Sequence, residues 1–174
     1  RHDDLDLGAA YRMSLKRFGL WKRDTMRAFG NPGYAVAFRR KNLAEAGFYE
    51  KLVIGGGDRT MMQSLFHPFD EELYRREPLY HDLYPSEYYK DLPAWSRRVF
   101  ERCQKSVFFT QGTLVHLWHG ERIKRQYFPR LQILKKSSYD SDKDIRLDES
   151  GCWVWATDEK DMYRAVAEYF KSRV

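Results

Sequence analysis

The sequence predicts an α/β fold in which a small mixed sheet is flanked by helices. Three segments have the apolar, β-branched and aromatic content of short strands, and others repeat apolar residues at helical spacing. The strand candidates are YAVAFRR (34–40), TLVHLWHG (113–120) and CWVWA (152–156). The chain has 174 residues, of which 43% are hydrophobic and 32% are charged, which is the balance of a globular protein. We therefore expect a single domain over residues 1–174.

Helices are predicted over four further segments. KNLAEAG (41–47) is typical of a short helix that ends at Gly47. Three longer helices are predicted to start at Asp58, near Pro93 and near Asp158, where acidic residues or a proline occupy the first turn. Their apolar stripes are Met61, Met62, Leu65 and Phe66; Trp95, Val99 and Cys103; and Met162, Ala165, Val166, Tyr169 and Phe170.

The segment ERIKRQYFPRLQILKK (121–136), called here the basic segment, has six basic residues and one acid, a net charge of +5. Its apolar residues recur at helical spacing, which predicts a helix with a kink at Pro129. The residues of this predicted face are Ile123, Tyr127, Leu131 and Leu134. The charge favours an anionic partner, either a phosphorylated small molecule or nucleic acid, and the alternative is a solvated helix face.

Three consecutive glycines, Gly55, Gly56 and Gly57, precede Asp58. Glycine loses backbone entropy on folding and adds no packing, so three together predict a tight turn or a close approach of the backbone to a ligand. Asp58 is either the N-cap of the following helix or a general base that accepts the proton of a substrate hydroxyl. An N-cap alone would not need three glycines, which favours the general base.

Two histidines in the stretch HLWHG are candidate metal ligands. A strand places residues three apart on opposite faces, so His116 and His119 can face one ion only if the strand ends between them. Gly120 provides such an end, and we predict His119 as the ligand with His116 as support. The alternatives are histidines satisfied by backbone groups, and a metal hydrolase built on both histidines, which would need a third ligand at a clear spacing.

The sequence also bears on location. It contains no run of roughly 18 to 20 apolar residues, so no membrane span is expected. Cys103 and Cys152 lack paired spacing, and the first residues lack the apolar core of a signal peptide. We therefore expect reduced thiols and a cytoplasmic protein, and the alternative is one bridge between the two cysteines.

The order of these motifs resembles the C-terminal half of GT-A-type glycosyltransferases, similar to the galactosyltransferase and polypeptide N-acetylgalactosaminyltransferase group. The resemblance is carried by NPGYAVAFRRKNLAEAGFYEKLVIGGGDRTMM (31–62) and by HLWHGERIKRQYFPR (116–130). In those families a strand like the one predicted at 34–40 precedes an acidic acceptor-site motif, and a later histidine completes a manganese site. The resemblance therefore implies a partial GT-A-like unit.

The resemblance implies the transfer of a sugar from a nucleotide-diphosphate sugar to a carbohydrate or other hydroxyl acceptor. It implies that Asp58 is the catalytic base, that the glycines 55–57 let donor and acceptor sugars approach, and that His119 binds Mn²⁺. The residues implied to lie near the donor diphosphate are Arg122, Arg125 and Arg130.

In these families an N-terminal unit supplies a D-x-D motif, and no strand followed by such a motif precedes residue 31 here. DSDKD (140–144) comes too late in the chain to be that motif. The resemblance thus implies that the chain is the C-terminal part of a larger enzyme. The alternative is a basic nucleic-acid-binding module, since the pI is about 9.3 and aromatic residues stack on sugars and bases alike.

Overall fold

The computed structural model describes residues 35–66, 68–69, 87, 90–103, 107–108, 110–115, 121–127 and 129–173. The regular structure of these residues consists of five α-helices, one 3₁₀ helix and a two-stranded antiparallel sheet. The α/β class is therefore confirmed, but the sheet of the described residues is antiparallel instead of mixed. Two compact units take up the described parts of the chain, the first from 1–50, 55–73 and 91–117, the second from 51–54, 74–90 and 118–174. The single domain over residues 1–174 stays a prediction.

The first unit contains α1 (Arg40–Ala46), α2 (Gly57–Phe66) and α3 (Leu92–Cys103). Helix α3 packs against both α1 and α2. The side chains that α3 buries are those of Leu92, Trp95, Ser96, Val99 and Cys103. These positions lie three or four residues apart, so they form one face of the helix. The three helices in this part of the chain are confirmed, with starts within a residue or two of the predicted ones.

Helix α1 ends as its sequence predicts. Gly47 has a φ of 68°, which a glycine adopts without steric cost, and its N–H donates to the carbonyl of Leu43 at 2.8 Å. The indole N–H of Trp95 donates to the carbonyl of Gly47 at 3.3 Å. The end of α1 is therefore tied to the buried face of α3.

The second unit contains the 3₁₀ helix Arg122–Arg125, α4 (Pro129–Lys136), β1 (Ile145–Leu147), β2 (Trp153–Trp155) and α5 (Lys160–Lys171). Helix α4 packs on α5. Buried apolar side chains of this unit include those of Leu131, Leu134, Tyr139, Ile145, Met162, Val166 and Tyr169. The last helix is thus confirmed, and three residues of its predicted stripe are buried.

Strands β1 and β2 form a hairpin in which Ile145 lies opposite Trp155. The turn between them is held by the carboxylate of Asp148, which accepts hydrogen bonds from the hydroxyl and N–H of Ser150 and from the N–H of Cys152. The Ser150 hydroxyl, followed by the backbone N–H of Cys152, lowers the pKa of the Asp148 carboxyl. The strand predicted at 152–156 is therefore confirmed.

The other two predicted strands are wrong in their described parts. Residues 35–39 have no regular structure, and residues 113–115 are irregular and exposed. An apolar segment becomes a strand only with a pairing partner, and the sheet of the described residues contains β1 and β2 alone. The remainder of the second segment, 116–120, lies outside the described residues.

The single kinked helix predicted for the basic segment is also wrong. Gln126 separates the 3₁₀ helix from α4 and has the left-handed backbone angles φ 45° and ψ 47°. Pro129 begins α4 instead of kinking it, because a proline needs no hydrogen bond at the first helical position. Ile123 is 80% exposed whereas Leu131 is buried, so the predicted shared face does not form.

None of the described helices is long and apolar enough to cross a membrane. Cys103 and Cys152 are both free thiols, as expected from their spacing. Burial raises the pKa of the Cys103 thiol, which keeps it protonated.

The turn before α2 depends on the backbone angles of two of the three glycines that precede Asp58. Gly55 and Gly56 have φ angles of 108° and 100°, which residues with side chains rarely adopt, whereas Gly57 is not among the positive-φ residues. A Cβ on Gly57 would meet nothing closer than the carbonyl of Tyr49 at 4.0 Å. We expect Gly55→Ala and Gly56→Ala each to lower the free energy of unfolding by about 1–3 kcal/mol.

Gly57→Ala is the matched control. In a helix it is expected to leave the free energy of unfolding unchanged or to raise it by up to about 1 kcal/mol. Urea unfolding of the three variants measures the difference. Equal losses at all three positions would contradict a conformational role for the first two glycines.

Candidate functional site

Asp58 is the second residue of α2, and the hydrogen bonds around it show that it is not the N-cap. The carbonyl of Gly56 accepts the N–H and the hydroxyl of Thr60, both at 3.0 Å, so Gly56 takes the capping position. The carboxylate of Asp58 accepts the N–H of Arg59 at 2.8 Å. Of the two roles considered for Asp58, the N-cap is therefore wrong.

The carboxylate of Asp58 is exposed, whereas the six residues of α2 from 60 to 65 are buried. Asp58 lies in the first turn of this helix. The glycines 55–57 are half-buried and add no side chains of their own next to Asp58. This arrangement places an accessible carboxylate on a fixed helix, where it can accept the proton of a bound hydroxyl.

Arg125 and Gln126 form the break in the basic segment. Arg125 ends the 3₁₀ helix, and its Nη1 donates to the hydroxyl of Tyr127 at 2.9 Å. The left-handed conformation of Gln126 costs on the order of 1–3 kcal/mol in a residue other than glycine. The side chain of Gln126 donates to the hydroxyl of Ser172 at 2.9 Å, which ties this strained residue to the end of α5.

Arg130 is buried, with 8% of its surface exposed. Its Nη1 donates to the hydroxyl of Tyr169 at 2.9 Å, and its guanidinium carbon lies 5.0 Å from the centre of the Tyr127 ring and 5.9 Å from that of Tyr169. These contacts stabilise the cation through the faces of the two rings. The role predicted for Arg130 at the donor diphosphate stays a prediction.

The rest of the predicted site lies outside the described part of the chain. His116 and His119 fall there, as does the side chain of Arg122. Within the described residues, no group of three or more His, Cys, Asp or Glu side chains could hold a metal ion. The manganese ligand at His119 therefore stays a prediction.

One charged cluster was not predicted, and we call it the Lys90 network. The ammonium of Lys90 contacts the carboxylates of Asp140 and Asp142, each at 2.7 Å, and Asp142 also accepts a hydrogen bond from Lys51 at 2.8 Å. Asp140 is 9% exposed, and it also accepts the N–H of Asp142 at 2.9 Å. Two of the three aspartates of DSDKD, Asp140 and Asp142, thus belong to an ion-pair network. Their spacing in the sequence gives no sign of the lysines, which are 50 or more residues away.

The Lys90 network shifts the pKa values of its members. Hydrogen bonds from Lys51 and Lys90 lower the pKa of Asp142 to about 2, and the hydrogen bond from Lys90 lowers that of Asp140. Asp140, followed by Asp142, raises the pKa of Lys90. The carboxyls have pKa values near 4 in the unfolded chain. Their contribution to stability is therefore present above about pH 4 and is lost as the pH falls towards 2.

This linkage predicts an acid-labile fold. Between pH 4 and pH 2 the free energy of unfolding of the wild type is expected to fall by about 1 kcal/mol more than that of the variant Asp142→Asn. This value allows for screening by water, because the side chain of Asp142 is 53% exposed. Urea unfolding of both proteins at several pH values gives the change of the free energy of unfolding with pH for each. Parallel slopes would show that Asp142 has the same pKa in the folded and unfolded states.

Comparison of the chain with protein-family models, with curated proteins and with solved structures finds no match.

Proposed function

We propose that the chain is the acceptor-binding and metal-completing part of a GT-A-type glycosyltransferase, which transfers a sugar from a nucleotide-diphosphate sugar to an acceptor hydroxyl. The observation that carries the proposal is the exposed carboxylate of Asp58 in the first turn of the largely buried helix α2, two residues after the pair Gly55 and Gly56, whose φ angles side chains disfavour. The order of motifs in the sequence supports the same class.

In the proposed reaction Asp58 accepts the proton of the acceptor hydroxyl. The acceptor oxygen forms a bond to the anomeric carbon of the donor sugar, and the bond from that carbon to the diphosphate oxygen breaks. The diphosphate leaves with the electron pair, and the proton stays on the carboxyl group until it passes to solvent. The glycines 55–57 would allow close approach of the sugars, because they present backbone without side chains.

The leaving diphosphate needs neutralisation, and the basic segment offers guanidinium groups for it. Arg122, Arg125 and Arg130 are the proposed contacts. A manganese ion, with His119 as one ligand, would supply further positive charge to the leaving group when bound. We place this reaction in the cytoplasm.

Nucleotide release by the complete protein, expressed from its full coding sequence, tests the proposal. With Mn²⁺, an acceptor mixture and a panel of nucleotide-diphosphate sugars, at least one donor is expected to yield a nucleoside diphosphate and a glycosylated acceptor. The matched control omits the acceptor. If no donor reacts, and the protein instead binds mixed oligonucleotides with an affinity that falls steeply with salt, the chain is a nucleic-acid-binding module.

A further inference from the structure

The end of α5 contacts the basic segment through one buried phenol. Tyr169 is 3% exposed, and its hydroxyl accepts the Nη1 hydrogen of Arg130 at 2.9 Å. The same hydroxyl donates to the backbone carbonyl of Arg125 at 3.3 Å. A single group of α5 therefore joins the first turn of α4 to the last residue of the 3₁₀ helix.

A second contact holds the residue between those two helices. The hydroxyl of Ser172 donates to the carbonyl of Tyr169 at 2.8 Å and accepts a hydrogen from the side-chain amide of Gln126 at 2.9 Å. Gln126 has the left-handed backbone that separates the 3₁₀ helix from α4. Such conformations persist in residues other than glycine when their surroundings fix them, and they cluster at functional sites.

Arg130 and Arg173 both lie close to the ring of Tyr169. Among the described residues, no carboxylate forms an ion pair with Arg130 or with Arg173, whose guanidinium carbons each lie 5.9 Å from the centre of the Tyr169 ring. A buried cation without a counter-ion is costly, and an apolar side chain of similar volume would pack at lower cost. Within the described residues, the guanidinium of Arg130 therefore lacks a counter-ion, and an anionic ligand could supply one.

We infer that Tyr169 is a positioning residue, which holds Arg130 and the backbone of Arg125 in the orientation that binds the diphosphate of the donor. This inference rests on the proposed function, since the proposed function assigns the diphosphate to the basic segment. The ring of Tyr169 supports the guanidinium of Arg130, and the hydroxyl sets its direction. Tyr169 itself contacts no reacting atom.

The test compares two tyrosines of α5 in the complete protein. Tyr169→Phe removes the hydroxyl that contacts the arginines, and Tyr163→Phe removes one that is hydrogen-bonded to Thr157 in the same unit. Titration calorimetry with inorganic pyrophosphate gives the dissociation constant, and thermal melting gives the stability. We expect Tyr169→Phe to weaken pyrophosphate binding about tenfold, as for one lost hydrogen bond to a charged group, and Tyr163→Phe to leave it unchanged.

Two results with the tyrosine variants would overturn the inference. One is equal pyrophosphate binding by the wild type and Tyr169→Phe, and the other is equal weakening by both tyrosine variants. If Tyr169→Phe does not fold, Ser172→Ala is the second variant, because it removes the hydroxyl that accepts the hydrogen bond of Gln126. It is also expected to weaken pyrophosphate binding. Failure of the proposed function is a separate result, in which Tyr169→Phe weakens pyrophosphate binding but the wild type transfers no sugar. Absence of pyrophosphate binding by the wild type overturns both the positioning role and the diphosphate assignment.

Discussion

Asp58→Asn is expected to slow sugar transfer by the complete protein by at least about 100-fold, the usual contribution of a general base. The amide keeps the size of the side chain and an oxygen that can accept the N–H of Arg59, but it cannot take a proton from the acceptor. Asp58 is exposed in the first turn of α2. The free energy of unfolding should therefore change by less than about 1 kcal/mol, which is the size of a helix-dipole effect.

Asp161→Asn is the matched control for this experiment. Asp161 lies in the first turn of α5, and its side chain is 99% exposed. Steady-state kinetics should show a loss of kcat for Asp58→Asn at a nearly constant KM for the donor, and wild-type values for Asp161→Asn. Equal turnover by all three proteins would show that Asp58 is not the base.

Lys90→Met is expected to lower the free energy of unfolding by about 2 kcal/mol. The substitution removes the main partner of the Asp140 carboxylate, which is 9% exposed and would remain charged in a poorly hydrated position. Loss of one partner from a fully buried pair costs about 3–5 kcal/mol. The smaller value applies here because Lys90 is 28% exposed and water can partly replace it.

Lys143→Met separates this effect from a general loss of positive charge. Lys143 contacts the same carboxylate at 3.5 Å, but its side chain is 77% exposed, so a loss of less than about 0.5 kcal/mol is expected. Urea unfolding near pH 7 compares the two variants. Adding Asp140→Asn to Lys90→Met should restore part of the stability, because the amide is neutral. If both lysine variants are equally stable, Lys90 does not balance a buried charge.

The helices could be predicted from the sequence because their signals are local. Trp95, Val99 and Cys103 recur at four-residue spacing, and these positions lie on the buried face of α3. The glycine at 47 ends α1 for a reason that is contained in the residue itself, namely its access to positive φ. In each case the information needed lies within one helix.

Two of the three predicted strands were wrong and the ion pairs were not predicted, because both depend on partners that the local sequence does not specify. Residues 35–39 have the apolar content of a strand, yet β-strands need a partner that the local pattern does not specify. The left-handed conformation of Gln126 could not be predicted either, since nothing in its side chain requires that conformation. Lys90 and Asp140, which are 50 residues apart, are joined only by the fold.

The candidate site was predictable to a similar degree. The glycines indicated an unusual turn, and two of the three have positive φ, with Asp58 exposed beside them. Arg130 was expected near the diphosphate from the resemblance and from the charge of the basic segment, and neither reports its burial or the tyrosines around it. Tyr169 was predicted only as an apolar residue of the last helix, because its hydroxyl finds its partners in a different segment.

The most direct test of the proposed chemistry is the rate of sugar transfer by Asp58→Ala in the complete protein, measured with and without added formate. Formate is a small carboxylate that can accept a proton in the space left by the missing side chain. A low rate that rises with formate, with no such rise for the wild type or for Asp161→Ala, is the predicted result. Transfer by Asp58→Ala at the wild-type rate without formate would contradict the assignment of Asp58 as the base.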